Sequence, residues 1–136
     1  MANRLSFPLV PRPIRQMLQP LDISSSGMST QQRFLEVIAK NISNASTTRT
    51  PDGGPYKREV AVADGSGSIK IVEDQTPGQE VYDPGHPDAN ADGYVRYPNV
   101  DMNNELVDLM IARRVFEANA SVFQAAKSML RRALDI

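Results

Sequence analysis

The sequence has 136 residues, no cysteine and a formal net charge of -1 at pH 7. This length suggests one domain, or one small body with extensions. The charge balance argues against a general nucleic-acid-binding protein, because such proteins usually carry a strong excess of Lys and Arg. The lack of cysteine excludes disulfides, thiolate catalysis and thiolate metal sites. Only 6% of the residues are aromatic, so the chain has limited means to build a large core.

The first zone, residues 1–20, is interpreted as an N-terminal arm that contains Pro and Arg and has no hydrophobic period. Three prolines, Pro8, Pro11 and Pro13, interrupt its short apolar runs. We therefore expect no cleaved secretory signal in this segment. Nothing in the sequence approaches the roughly 18 consecutive apolar residues of a membrane span, so we expect none.

The second zone, residues 21–45, is predicted to be a helix. Its apolar residues recur every seven positions, at Leu21, Met28, Leu35 and Ile42, which places them on one stripe of a helix. Asp22 and the serines that follow it suit a first helical turn, because their short polar side chains accept hydrogen bonds from free backbone N–H groups.

The third zone, residues 46–98, is predicted to be a β-rich insert with loops. The segment YKREVAVADGSGSIKIVED reads as two short strands on either side of a turn at residues 64–67. Short runs at residues 80–83 and 94–97 are candidates for two further strands, with a loop between them.

The fourth zone, residues 99–136, is predicted to be one long helix, because it has no Pro or Gly and its apolar residues recur at threes and fours. Its apolar residues point around more of the circumference than one partner helix can cover. Each large side chain left exposed would forfeit about 1.5–3 kcal/mol, and exposed area on that scale marks an interface. The predicted subunit-interface residues are Met28, Leu35, Ile38, Ile42, Leu106, Leu109, Met110, Phe116, Phe123, Met129 and Leu130.

The resulting fold prediction is α+β. The N- and C-terminal helices, residues 21–45 and 99–136, pair as a coiled-coil-like hairpin that forms a helical core domain, and the β-rich insert lies between them. The alternative is an ordinary three-layer domain in which the hairpin folds onto the sheet.

The sequence offers little for catalysis or ligand binding. His86 lies in a Pro-flanked loop without a nucleophile or an orienting partner nearby, so we expect no enzyme and no cofactor. Residues 88–93, DANADG, match the start of an EF-hand loop, but Asn99 stands where a bidentate Glu is required. A turn stabilised by Asx side chains is the favoured interpretation, and no metal site is predicted. A soluble module that binds Ca²⁺ or another ligand and has a coiled-coil stalk remains the alternative function.

Two parts of the chain carry a resemblance to a known family. Residues 21–59, LDISSSGMSTQQRFLEVIAKNISNASTTRTPDGGPYKRE, are similar to the N-terminal signature of bacterial flagellar rod and hook proteins. The run from Thr48 to Arg58 resembles the FlgC family of proximal-rod proteins more than its rod and hook relatives. Further similar segments are residues 82–87, 91–95, 98–101, 116–119 and 127–130.

This resemblance implies a structural subunit of the proximal rod of the flagellar basal body, which transmits torque and surrounds the export channel. It implies export by the flagellar type III apparatus without a cleaved signal peptide, and assembly in the periplasm. The implied partners are further copies of the chain, other proximal and distal rod proteins, the junction protein and the membrane ring.

The segment after the first helix is predicted to be a rigid joint. Pro51 favours extended backbone before it, the next three residues form a turn, and Pro55 stiffens the exit toward the hairpin. A stiff joint transmits twist, whereas a Gly/Ser hinge would dissipate it. The joint comprises Thr50, Pro51, Asp52, Gly53, Gly54, Pro55 and Tyr56.

The N-terminal arm is longer than the resemblance leads us to expect, and Met17 is an alternative start. If the arm is translated, we expect its basic and apolar residues to dock on a neighbouring ring or rod subunit. These residues are Arg4, Phe7, Leu9, Val10, Arg12 and Arg15.

Overall fold

The fold was analysed in a computed structural model that describes residues 11–135. Four of the arm residues predicted to dock, Arg4, Phe7, Leu9 and Val10, lie outside the described residues. Two long helices flank four short strands, which confirms the α+β prediction. The elements are α1 (Arg12–Ser43), β1 (Glu59–Ala63), β2 (Ile69–Glu73), β3 (Glu80–Tyr82), β4 (Tyr94–Arg96) and α2 (Met102–Leu134).

Helix α1 begins at Arg12, earlier than the predicted start at Leu21. Pro13 fits because the N–H groups of a first helical turn have no partner within the helix. Pro20 lies inside the helix, where it donates no hydrogen bond to the preceding turn. Residues 12–20 are therefore helical and extend the predicted helix toward the N-terminus. The division into arm, helical core and insert otherwise stays a prediction.

The first two strands form the predicted antiparallel hairpin, in which Ala61 lies opposite Ile71. Its turn is closed by a hydrogen bond of 2.8 Å from the Asp64 N–H to the Ser68 carbonyl. The Asp64 carboxylate accepts from the N–H groups of Ser66 and Ser68, at 2.9 and 3.0 Å. Short acidic side chains commonly stabilise turns in this way, so the local sequence is sufficient to set the register of the hairpin.

The other two strands also pair antiparallel, with Val81 opposite Val95. Gly93 precedes β4 with a φ of 86°, and a Cβ there would lie 2.8 Å from the ring of Tyr82. Only glycine fits both this backbone conformation and this approach. The Tyr82 and Tyr94 rings meet edge to face, with their centroids 5.3 Å apart. Each pair of strands forms a sheet of its own.

Helix α2 begins at Met102, three residues after the start of the predicted zone at residue 99. The Asp101 carboxylate accepts from the N–H of Asn103 at 3.0 Å, which is the hydrogen bond expected of a residue that caps a helix. The helix then continues without interruption to Leu134.

The described residues form two compact units. The first contains residues 11–29 and 115–135, and the second contains residues 30–114. In the first unit the helices approach closely, because a Cβ on Gly27 would lie 2.7 Å from the amide nitrogen of Asn119. The second unit holds the two β-sheets and most of the buried apolar residues, which are Val37, Ile38, Tyr56, Ala61, Val95 and Ala112.

Candidate functional site

The second unit contains a group of hydrogen-bonded polar side chains, buried or half-buried, that joins both helices to β1. We call it the polar cluster, and its members are Asn41, Tyr56, Arg58, Glu59 and Glu105. Sequence reasoning missed it, because nothing in a periodic pattern marks a polar residue as buried.

Asn41, near the end of α1, is the centre of the polar cluster and is only 1% exposed. Its Oδ1 accepts from the Glu59 N–H at 2.9 Å and from the Tyr56 hydroxyl at 2.8 Å. Its Nδ2 donates to the Glu59 carbonyl at 2.8 Å and to the Glu105 carboxylate at 3.3 Å. Both amide hydrogens and the amide oxygen are thus satisfied within the protein.

Glu105, in the first turn of α2, is completely buried. The Nε of Arg58 donates to one of its carboxylate oxygens, and Asn41 donates to the other. The Arg58 guanidinium also lies 3.9 Å from the Asp74 carboxylate and 3.8 Å from that of Asp108. A buried charge is tolerated only when it is paired and hydrogen-bonded, and Glu105 meets both conditions.

Tyr56 belongs to both the joint and the polar cluster. Burial raises the pKa of its hydroxyl to about 12, and the nearby carboxylates of Glu59, Glu105 and Glu73 act in the same direction. Both effects disfavour the phenolate. The hydroxyl therefore stays protonated and keeps donating to Asn41 at ordinary pH.

The joint is a closed turn. The Thr50 N–H donates to the Gly54 carbonyl and the Gly53 N–H donates to the Thr50 carbonyl, both at 2.9 Å. The two glycines have φ angles of 82° and 75°, which favour residues without a Cβ. Of the predicted joint residues, Tyr56 is buried, Thr50 and Pro55 are half-buried, and residues 51–54 are exposed.

The loop between β3 and β4 contacts the segment just before the joint through Asp88. Its carboxylate accepts from the Thr48 hydroxyl at 2.7 Å and lies 2.6 Å from the Arg49 guanidinium. The Thr48 hydrogen bond, with a contribution from Arg49, holds the pKa of the Asp88 carboxyl below its usual range. These two contacts connect the segment just before the joint to a loop that lies about 40 residues further along the chain.

The DANADG loop forms the Asx turn that was favoured over a Ca²⁺ site. Asn90 Oδ1 accepts from the N–H groups of Asp92 and Tyr94, at 3.0 and 2.9 Å. His86 Nδ1 accepts from the Asp88 N–H at 3.0 Å, and its ring lies edge to face with that of Tyr97. Among residues 11–135, no group of three or more His, Asp or Glu side chains is placed to hold a metal ion.

The predicted interface residues lie at different depths. Leu106, Met110 and Met129 are exposed, and Ile38 is buried within the chain. The rest are half-buried, namely Met28, Leu35, Ile42, Leu109, Phe116, Phe123 and Leu130. That these residues contact another subunit stays a prediction.

Helix α2 has a second apolar surface that the predicted list missed in part. Its exposed residues follow one another at intervals of four and three, the spacing of a coiled-coil seam. We call it the outer stripe, and it consists of Val115, Ala118, Val122, Ala125 and Met129, all of which are exposed. This spacing was readable from the sequence, but of these five residues the predicted interface includes only Met129.

In the part of the chain that the structure describes, no helix combines the length and the apolarity needed to cross a membrane.

Comparisons with known proteins identify the class of protein to which the chain belongs. Residues 21–49 match the family described as flagella basal body rod protein, and residues 91–136 match the family described as flagellar basal body rod FlgEFG protein C-terminal. The two matches fall on segments that include most of α1 and all of α2. The chain is therefore a bacterial flagellar rod protein.

Individual relatives identify the family within this class of protein. The flagellar basal-body rod protein FlgC of Salmonella typhimurium is 37% identical, over 88% of this chain and 97% of its own length. FlgC of Borreliella burgdorferi is 35% identical over the same shares, and FlgC of Bacillus subtilis is 36% identical over 85% of this chain and 95% of its own. The chain belongs to the FlgC family, as the resemblance implied.

Proposed function

We propose that this rod protein is a structural, non-enzymatic subunit of the proximal rod. It transmits torque and forms part of the wall of the export channel by packing its helices against those of neighbouring subunits. It reaches the periplasm through the flagellar type III apparatus without a cleaved signal peptide. Its neighbours are further copies of the chain, other proximal and distal rod proteins, the junction protein and the membrane ring.

The observation that carries this proposal is the apolar surface that α2 leaves exposed. Val122 is 51% exposed and Met129 is 66% exposed, and both lie on the outer stripe. Apolar side chains repeated along one side of a helix are typical of a surface that another helix covers. Subunits joined in this way would form a wall of packed helices.

The joint supports the mechanical part of the proposal. Its turn is closed by two backbone hydrogen bonds, and the Tyr56 N–H bonds back to the Thr47 carbonyl at 3.0 Å. Asp88 adds the contacts to Thr48 and Arg49. A segment held at this many points passes a twist from the helices to the β-sheets with less loss than a flexible linker would.

The experiment replaces residues 50–55 with Gly and Ser in cells that carry this chain as their only copy. Export of the chain should stay intact, whereas swimming in soft agar and the amount of rod in purified basal bodies should fall. A control makes the exposed turn of the hairpin, residues 64–67, entirely Gly and Ser, for which the single change Asp64→Ser is enough. Normal swimming by the joint variant would contradict the mechanical role of the joint. Absence of the chain from purified rods in the wild type would contradict the proposal as a whole.

A further inference from the structure

Each of the two sheets, both of which lie in the second unit, has one edge where an asparagine takes the place of a neighbouring strand. At β1, Asn41 bonds the N–H and the carbonyl of Glu59. At β4, the Asn90 N–H donates to the Tyr94 carbonyl and its Oδ1 accepts from the Tyr94 N–H, both at 2.9 Å. These two edges are therefore closed to another chain at those positions.

The opposite edges, on β2 and β3, are open. Successive residues of an antiparallel pair turn their main-chain groups alternately toward the partner strand and away from it. The bond from the Asp74 N–H to the Arg58 carbonyl fixes this alternation in the first sheet, and the bond from the Tyr97 N–H to the Gln79 carbonyl fixes it in the second. The residues that turn outward are Ile69, Ile71 and Glu73 on β2, and Glu80 and Tyr82 on β3. Among residues 11–135 each sheet has only two strands, so no strand pairs with these edges.

Both open strands also expose apolar side chains. Ile71 and Val72 on β2 are 46% and 45% exposed, and Val81 and Tyr82 on β3 are 39% and 64% exposed. A strand edge with unpaired main-chain groups is a template for a further strand, and natural proteins usually cover or blunt such edges. Two uncovered edges in one chain therefore indicate that strands from other chains cover them.

The two open edges are complementary to each other. If β2 of one copy lies parallel to β3 of another, with Ile71 beside Val81, every outward main-chain group of β3 meets a partner on β2. Arg96 bonds only Oε1 of Glu80, which leaves Oε2 to accept from an ammonium group. Opposite charges and apolar side chains side by side on neighbouring strands stabilise their pairing. The side chains brought together in this register are Lys70 with Glu80, Ile71 with Val81, and Val72 with Tyr82.

The antiparallel alternative that uses the same outward groups is less favourable. It places Ile71 opposite Tyr82, and therefore Glu73 opposite Glu80. Like charges directly opposite each other on neighbouring strands are destabilising. The charges on the two edges thus favour the parallel register.

We propose that β2 of one copy joins β3 of the next, edge to edge, so that copies of this chain pair head to tail. The inference rests on the proposed function, because the subunits of a rod repeat in this manner. Two different surfaces meet in such an interface, and it extends into a helical filament when the rotation between copies does not close a ring. A two-fold pairing of β2 with β2 would stop at two copies.

The test introduces cysteines, since the chain has none of its own. Cells carry Ile71→Cys with Val81→Cys as their only copy, and their purified basal bodies are treated with copper phenanthroline, an oxidant that joins two adjacent thiols as a disulfide. Val62→Cys with Val81→Cys is the matched control, because Val62 on β1 is 48% exposed, close to the value for Ile71. Both single-cysteine variants are treated in the same way. Denaturing gels without reductant give the number of linked copies, and mass spectrometry identifies the junctions.

The Ile71→Cys, Val81→Cys chain should give a ladder that extends beyond the dimer, with junctions between the two substituted positions, and the controls should give none. Adding Lys70→Glu should lower the linked fraction several-fold, because two acids then meet, whereas Lys70→Arg should preserve it.

Rods that contain the chain but yield no ladder would overturn the inference and leave the proposed function standing. A junction between two substituted Ile71 positions, or a link to a different protein, would overturn it as well. Rods without the chain would contradict the proposed function, and the same oxidation of the purified chain in solution would then decide the edge pairing by the same ladder.

Discussion

The side chain of Asn41 bonds both main-chain groups of Glu59, the N–H at 2.9 Å and the carbonyl at 2.8 Å. A neighbouring strand would satisfy an outer edge of β1 in the same way. Helix α1 thereby closes an edge that would otherwise be open to pairing with another chain. The same amide reaches Tyr56 and Glu105, so one side chain serves the joint, the hairpin and α2.

The first prediction concerns Asn41→Leu. It leaves the part-buried Glu59 N–H and carbonyl without their partner. Each such group costs about 1–3 kcal/mol, so the free energy of unfolding should fall by about 3 kcal/mol. This differs from replacing both members of an ion pair, because here one side of several hydrogen bonds is removed. Urea unfolding, monitored by circular dichroism, measures the free energy of unfolding. Asn44→Leu, which removes only local bonds to the Lys40 carbonyl and from the Thr47 hydroxyl, is the control. Equal losses in the two variants would contradict the central position of Asn41.

The second prediction is a loss of stability at high pH through Tyr56. Its pKa is about 12 in the folded chain against an ordinary 10.0. The contribution of Tyr56 to the free energy of unfolding is complete below pH 10.0, where the hydroxyl is protonated in both the folded and the unfolded chain. It is lost as the pH rises toward 12, because in that range only the unfolded chain ionises.

The measurement is urea unfolding between pH 9 and 12 (from about one unit below to about two units above the ordinary Tyr pKa), in the wild type and in Tyr56→Phe. The wild type should lose more stability than the variant across this window. Ultraviolet titration of the four tyrosines should also show one group that ionises late and disappears in Tyr56→Phe. Parallel pH profiles would show that Tyr56 titrates like an exposed tyrosine.

The third prediction tests the close approach of the helices at Gly27. Alanine is favoured over glycine inside a helix by about 1 kcal/mol. A Cβ at Gly27 would meet the Asn119 amide at 2.7 Å, so Gly27→Ala alone should gain little or nothing in stability. In an Asn119→Ala background, the same substitution should show the full gain. The free energies of unfolding of the four chains give the coupling, and equal gains in both backgrounds would mean that the two residues do not meet.

The fourth prediction concerns the outer stripe. Val122→Lys places a charge on the exposed apolar surface, so the isolated chain should change in stability by less than about 0.5 kcal/mol. Incorporation into purified basal bodies and swimming in soft agar should both fall. Gln124→Lys adds the same charge to an exposed polar position of the same helix and should leave both unchanged. If Val122→Lys cells swam normally, the outer stripe would have no role in the rod.

The helices and the first hairpin were predictable, because their signals are local. Heptad spacing marks a helix within a few turns, and the Asp64 turn sets the hairpin register within five residues. The start of α1 was missed because residues 1–20 show no hydrophobic period, and Pro8, Pro11 and Pro13 interrupt their short apolar runs. Within this segment the structure has three prolines at or in the helix, namely Pro11, Pro13 and Pro20. The first two lie at the helix start, where proline is tolerated, and only Pro20 lies in the interior.

The polar cluster was not predictable, because its signal is not local. Asn41 and Glu105 are 64 residues apart, and each reads as a surface residue in its own helical pattern. Burial of either is favourable only in the presence of the other and of Arg58. A single sequence gives the periodicity of each helix but does not show which polar residues meet across the pair.

The sequence separations within the polar cluster set an order for its formation. Asn41 reaches Tyr56 and Glu59 across 15 and 18 residues, but Glu105 only across 64. Closing a loop costs more entropy as the loop lengthens, so the nearer contacts are the less costly ones. A chain synthesised only as far as Ala63 already holds Asn41, Tyr56 and Glu59, and lacks the carboxylate that completes them. Glu105 is therefore the last member expected to join the polar cluster, and it can do so only once α2 has been made. A chain that ends before α2 lacks the carboxylate at this buried position.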